Sequence, residues 1–246
     1  KILDQKKITY IVHFTKSEKD LRSYTRSITD RLLFEHNASM NHLIVLGGDG
    51  TLNCVLNAID DLEHTIVSYM PTGTSNDFAR GTGISTDSVG AVSALKKGGV
   101  TRHTDIGLVR FGRKERRFCV SCGIGFDAST CNEVMHSPVK NLFNKLGLGK
   151  LIYCAIALKQ LLSLETVSCD LYLDDQPPIH FDRLIFASFM QLPYEGGGFM
   201  LCPDADAGDG LLDICVASNL TALQALPIFP LALSGKHTTK KGINLY

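Results

Sequence analysis

The hydrophobic pattern changes period twice along the chain. KITYIVHFT (7–15), NHLIVL (41–46) and HTIVSYMP (64–71) are short, nearly continuous apolar runs, the pattern of strands covered on both faces. Between them, KDLRSYTRSITDRLLFEH (19–36) puts Leu21, Tyr24, Ile28, Leu32 and Leu33 near one helical face. TLNCVLNAIDDL (51–62) and DSVGAVSALKKGG (87–99) also read as helices, the second stopped by Gly-Gly after two lysines. This alternation predicts a three-layer α/β domain.

From about residue 105 the rhythm shortens. TDIGLVRF (104–111), RRFCVSCGIG (116–125), CDLYLDDQP (169–177), PIHFDRLIFASFM (178–190) and GLLDICVAS (210–218) read as strands separated by turn residues, and 141–165 reads as a helical insertion with Gly-rich punctuation at 147–149. The expected organisation is an α/β domain over 1–106 and a β-rich, sandwich-like domain over 107–246, with a cleft between them. No run of 18 apolar residues occurs, so no membrane-spanning helix is expected.

Charge narrows the partners. Lysine plus arginine equals aspartate plus glutamate at 25 each, which argues against bulk nucleic-acid binding. Two basic clusters stand out locally, RKERR (113–117) and GKHTTKKG (235–242). They are either solvated loops or contacts with an anionic surface such as phospholipid headgroups. The eight cysteines mostly lie inside apolar runs, the usage of buried reduced thiols in a cytoplasmic protein. Cys119 and Cys122 have C-x-x-C spacing, but on a strand positions three apart face opposite sides, which disfavours a zinc or redox pair.

Candidate chemistry begins where the strand NHLIVL ends in Gly47-Gly48-Asp49-Gly50-Thr51. Bare backbone ahead of a helix can turn N–H groups toward an anion, with the positive helix end behind them. The helix is expected to start near Thr51, with the Thr51 hydroxyl as its cap. Asp49 is out of place beside a phosphate unless Mg²⁺ lies between them or it orders the loop; a tight turn without ligand is the alternative. The loop is not G-x-x-x-x-G-K-[ST]. A second loop, MPTGTSNDFARGTGI (70–84), repeats the logic, with Gly73 for a tight bend, Thr74 and Ser75 as phosphate hydroxyls, and Asn76 and Asp77 capping a short helix. Two neighbouring parallel strands would deliver both loops to one sheet edge. Further on, PDADAGDGLLD (203–213) gathers Asp204, Asp206, Asp209 and Asp213, an oxygen-rich loop suited to a hard cation or, alternatively, a solvated turn.

GGDGTLN (47–53) followed by PTGTSNDFAR (71–80) resembles the bacterial diacylglycerol-kinase-like lipid kinases, in a superfamily with sphingosine kinases and NAD kinases. TRHTDIGLV (101–109), GIGFDA (123–128), GGGFMLCPDADAGDGLLDI (196–214) and SGKH (234–237) extend the likeness in order over nearly the whole chain. The resemblance implies transfer of the γ-phosphate of ATP to a lipid hydroxyl, most directly diacylglycerol to phosphatidate. A sphingoid base, phosphatidylglycerol or monoacylglycerol remains open as acceptor, and so does a non-catalytic nucleotide-binding role. It places nucleotide contacts at Thr15, Gly47, Gly48, Asp49, Gly50, Thr51, Leu52, Asn53 and Thr74, with Asp49 as the catalytic carboxylate. A Mg²⁺ that orders the second-domain loop is implied at Asp206, Asp209 and the Leu211 carbonyl. The implied partners are ATP, Mg²⁺ and a lipid at the membrane surface, with no nucleic acid; a homodimer is left open, and the location is the cytoplasm, peripheral to the membrane. Three departures are visible. Gln191 stands where the family usually has Asn, the Asp-Gly-Glu segment that carries the family's general base is absent, and so is its first strand with an Asn-Pro loop. A native chain longer than this one is therefore expected, with the base beyond Tyr246.

Overall fold

The computed structural model describes residue 4 and residues 9–35, 41–85, 90, 101–136, 156, 158–161 and 165–246. They form two compact units, Lys1–Gly73 with Ile84–His103, and Thr74–Gly83 with Thr104–Tyr246. The architecture is α/β in the first unit and sheet-rich in the second.

In the first unit, helix α1 (Glu18–Glu35) buries Thr25, Ile28 and Thr29. Strand β1 (Asn41–Gly47) pairs in parallel with β2 (Thr65–Pro71), with Gly47 level with Pro71. Helix α2 (Asp49–Leu56) buries Leu52, Cys54, Val55 and Leu56. The proline that ends β2 has no N–H with which to extend the ladder. One expected strand is not formed among the described residues. Residues 9–15 are exposed and carry no ladder, with Phe14 84% exposed, because no described strand lies beside them to satisfy their backbone. The helix expected over 87–99 lies outside the described residues, apart from Gly90. So does most of 141–165, of which Ile156 and 158–161 are described and helical, and Glu165 is described outside any helix.

The second unit opens with α3 (Asp77–Thr82) and continues with the hairpin β3 (Gly107–Phe111) and β4 (Lys114–Phe118). The run RRFCVSCGIG breaks at Cys119–Val120, so Cys119 sits in a bend and β5 (Ser121–Gly125) follows it. Helix α4 (Phe126–His136) starts directly after Gly125, where the sequence pattern suggested only a motif. The main sheet has the order β11 (Ile243–Leu245), β10 (Asp213–Ser218), β7 (Ile179–Met190), β5, with β6 (Val167–Leu171) also on β7, and its pairs are antiparallel. A small pair, β8 (Tyr194–Glu195) and β9 (Phe199–Met200), a short helix α5 (Ala222–Ala225) and a 3₁₀ turn (Phe229–Ser234) complete it. The last residues add an edge strand to β10, and Tyr246 exchanges backbone hydrogen bonds with Ile214 at 2.9 and 3.0 Å.

Period-2 alternation along β10 sends Ile214 and Val216 to one apolar cluster, with Phe181, Leu184 and Ala187. It sends Cys215 and Ala217 to the other face. The register against β7 skips Ile185, since Ala217 pairs Phe186 and Ser218 pairs Leu184. This bulge lets Ile185 and Phe186 serve the same side of the sheet, where both line a cavity.

Candidate active site

The glycine loop is a strand end folded onto a helix start. Gly48 is the N-cap of α2 in extended conformation, with φ −95° and ψ −179°. Its carbonyl accepts from the N–H groups of Thr51 and Leu52 at 2.9 and 3.1 Å. The helix therefore begins at Asp49, two residues before the expected start, and Thr51 is not its cap. Instead Thr51 packs where a Gly47 side chain would be, 2.6 Å from that ideal Cβ position. The start is shifted because Thr51 is taken up by packing on Gly47, which leaves Gly48 as the cap.

This shift gives Asp49 a place in the helix start. A carboxylate at the first helical position sits at the positive end of the helix, where it is favoured. Thr72 and Gly73, at the start of the second loop, are held against the first within the same unit. Thr72 N–H donates to the Gly47 carbonyl at 2.8 Å, and a Cβ on Gly48 would lie 3.1 Å from Gly73 Cα. Two bare backbones thus approach as closely as glycine permits. Beside them Gly50 is exposed and, among the described residues, has nothing within 4 Å of an added Cβ, so the helix end is open on that side. Asn53 Oδ1 is buried and finds no hydrogen-bond partner among the described residues. Leu52 is core, 2% exposed. Thr15 and Thr74 are exposed.

The second unit orders its own loops. Asn76 occupies the N-cap of α3 in left-handed conformation (φ 54°), yet its side chain makes no capping bond. Asp77, expected as a cap, is buried and accepts from Gly197 N–H at 2.8 Å instead. The chain from Gly196 to Gly198 has φ of 59°, 90° and 113°, a run open to glycine. The Arg80 guanidinium packs against Gly198 and lies 5.4 Å over the Tyr194 ring. Sequence spacing alone had given Arg80 and the Gly triplet no role.

The acidic loop is tied to the segment before β3. Asp105 N–H donates to the Ala207 carbonyl at 2.7 Å, and the Asp105 carboxylate accepts from Gly210 N–H at 2.8 Å. Asp206 and Asp209 each use one oxygen within the loop, accepting from Gly208 and Leu211 N–H groups at 3.0 and 2.9 Å. Burial, with Asp209 and Asp204 nearby, pushes the Asp213 carboxyl above its usual range. Among the described residues no group of three His, Cys, Asp or Glu side chains is placed to hold a metal. Asp127 falls in the first turn of α4, and its side chain lies outside the description.

An apolar cavity of about 110 Å³ lies inside the second unit, walled by Phe126, Leu161, Ile185, Phe186, Phe199 and Ile228. Its polar lining includes Glu195 and His237. Glu195 is buried and accepts from the Ser188 hydroxyl at 2.8 Å. His237 is 2% exposed, its Nε2 lies 3.8 Å from Cys215 Sγ, and its Nδ1 has no partner among the described residues. Burial pushes the His237 pKa down, which keeps the ring neutral. Neither the cavity nor its polar pair was visible in the sequence, since residues from 126 to 243 converge there.

Comparison with known proteins accounts for both units. Residues 1–109 match the model of the diacylglycerol kinase catalytic domain, and residues 121–246 match that of the YegS C-terminal NAD kinase beta sandwich-like domain. A diacylglycerol kinase of Mycobacterium tuberculosis is 32% identical over 79% of this chain and 60% of its own length. One from Bacillus subtilis is 27% identical over 82% of this chain and 63% of its own. The chain thus spans less than two thirds of these relatives. A crystal structure of a diacylglycerol kinase from Bacillus anthracis aligns with TM-score 0.65 at 20% identity, covering 100% of this chain and 74% of that one. Another from the same organism aligns with TM-score 0.70 at 24% identity, covering 98% and 73%. With both halves of the chain matched in order by the two domain models, the protein belongs to the diacylglycerol-kinase-like family of lipid kinases.

Proposed function

We propose that the protein transfers the γ-phosphate of ATP to the hydroxyl of a membrane lipid, with diacylglycerol as acceptor and phosphatidate as product. The observation that carries this reading is the open helix start at Gly50, beside the tight approach of Gly48 to Gly73. Phosphoryl transfer needs positioning and charge neutralisation more than covalent help, and a helix N-terminus flanked by bare backbone supplies both. The lipid hydroxyl gives its proton to a general base, its oxygen bonds to the γ-phosphorus as the bond to the β–γ bridging oxygen breaks, and ADP leaves. Gly47 to Asn53, with Thr15 and Thr74, are the proposed nucleotide contacts, and Asp49 is the proposed catalytic carboxylate.

The cavity in the second unit has mostly aliphatic and aromatic walls, but at about 110 Å³ it is smaller than one that holds benzene, so it would take only the end of an acyl chain. Mg²⁺ is the proposed second cofactor. Asp206, Asp209 and the Leu211 carbonyl offer only oxygen donors, the choice of a hard cation, and water would complete so sparse a shell. Its role there is to order the loop that Asp105 already grips, and Asp209→Asn should abolish any rise in melting temperature on adding Mg²⁺.

The decisive assay incubates the full-length protein with radiolabelled ATP and a panel of diacylglycerol, monoacylglycerol, phosphatidylglycerol and sphingoid base. Labelled phosphatidate is expected. Intact ATP binding with no labelled lipid would refute the kinase reading, and label on a different lipid would replace diacylglycerol. Asp49→Asn should abolish turnover with the fold preserved; near-normal turnover would remove Asp49 from the mechanism.

A further inference from the structure

We propose that the β3–β4 hairpin is a docking element that sets its tip into the interface of an anionic phospholipid bilayer. The whole chain is neutral, but residues 110–117 hold five basic side chains (Arg110, Arg113, Lys114, Arg116 and Arg117) and one acid, Glu115. That acid is bound to Arg110 at 2.5 Å, so it does not offset Arg113, Lys114 and Arg116, which are exposed. At the tip, Phe111 is 84% exposed. It adjoins a two-residue turn in which Gly112 has φ 58°, the pattern of a tight type II′ hairpin.

The register decides which side chains act together. Phe111 pairs Lys114 and Val109 pairs Arg116, so by alternation these four share one face. An aromatic tip with basic residues beside it matches a bilayer interface, where ring carbons meet the acyl boundary and cations meet headgroup phosphates. The hairpin is its own two-stranded sheet among the described residues, so its edges are not taken up by a larger ladder. At its base Phe118 is buried across from Gly107, where no Cβ would fit, which fixes the pairing of the two strands there. Folding gains little from an exposed phenylalanine, and a few cations on a neutral chain give no broad field for a nucleic-acid backbone.

The test is co-sedimentation of the full chain, without ATP, with vesicles of phosphatidylcholine alone or with added phosphatidylglycerol. It reads binding, not turnover, so its outcome is independent of the identity of the acceptor lipid. Binding is expected only to the anionic vesicles and should fall with added salt. Each basic residue at an anionic surface adds about fivefold to partitioning, so Arg113→Gln with Lys114→Gln should weaken it about 25-fold. Phe111→Ala should weaken it about tenfold. Because these side chains are exposed, thermal melts of the variants should match the parent. Lys240→Gln with Lys241→Gln, in the other basic cluster, should leave binding unchanged. Hairpin variants that bind like the parent, binding lost through Lys240 and Lys241 instead, or a parent that binds single-stranded RNA but not vesicles would each overturn the proposal.

Discussion

Replacing Gly50 with alanine separates folding from nucleotide binding at one atom. Gly50 is the second residue of α2, its φ is not in the left-handed region, and an added Cβ meets nothing within 4 Å. For the protein without ligand the change is therefore free of strain, and it removes glycine's extra unfolded-state entropy, worth about 0.4–1 kcal/mol. In a chain of this size that raises the melting temperature by about 1–4 °C. If a phosphate lies in the open space, the same methyl group displaces it. A tenfold loss of affinity, about 1.4 kcal/mol, is the smallest effect expected. Gly48→Ala is the companion: its Cβ would lie 3.1 Å from Gly73 Cα, so the loops must part by a few tenths of an ångström. It should lower stability and affinity together. Thermal melts without ligand and calorimetric ATP titrations measure both quantities. Undiminished ATP affinity in Gly50→Ala would refute the assignment of that space to phosphate, and a lowered melting temperature would refute the steric reading.

Gly125→Val forces a side chain onto a φ of 81° and within 2.3 Å of the Ile185 carbonyl oxygen, so a loss of about 3–5 kcal/mol, seen as a lowered melt or insoluble protein, is expected. Asp77→Ala removes the acceptor of the buried Gly197 N–H and should cost about 1.5–3 kcal/mol, with faster proteolysis near Gly196–Gly198. For Asp213→Asn the sign follows from the raised folded-state pKa. The folded state disfavours the ionised form, a penalty present in full above the folded pKa and gone once pH falls below the unfolded value of about 3.9. The variant should melt higher than the parent at neutral pH, and the gap should close on acidification; a gap that widens instead would refute the raised pKa.

Much of this protein is legible where function and fold depend on neighbours in sequence. The run GLLDICVAS reads as a strand, and the sheet bears it out as β10, with Ile214 and Val216 on one apolar cluster and Cys215 and Ala217 on the other face. The ordered glycine-rich segments identify the family because a close backbone approach leaves its mark as missing side chains. Legibility declines where the deciding partner is distant. The run at 7–15 has strand composition, but a strand exists only with a ladder, and no described strand pairs with it. The start of α2 was misplaced by two residues because glycine at 48 and threonine at 51 are both acceptable caps, and packing of Thr51 on Gly47 settled the matter.

Asp77 shows the limit most clearly. Its position after Asn76 suits a helix cap, yet it serves a glycine 120 residues away. The skipped Ile185, the cavity it helps to wall, and the buried Glu195 and His237 facing it are of the same kind. Hydrophobic period and turn chemistry are local properties, so the sequence alone determined most of the described strands and the family's loops. Burial and hydrogen bonding between distant segments are properties of the packed chain, and only the tertiary structure decided which polar groups were satisfied, which were left facing a cavity, and where space remained for a ligand.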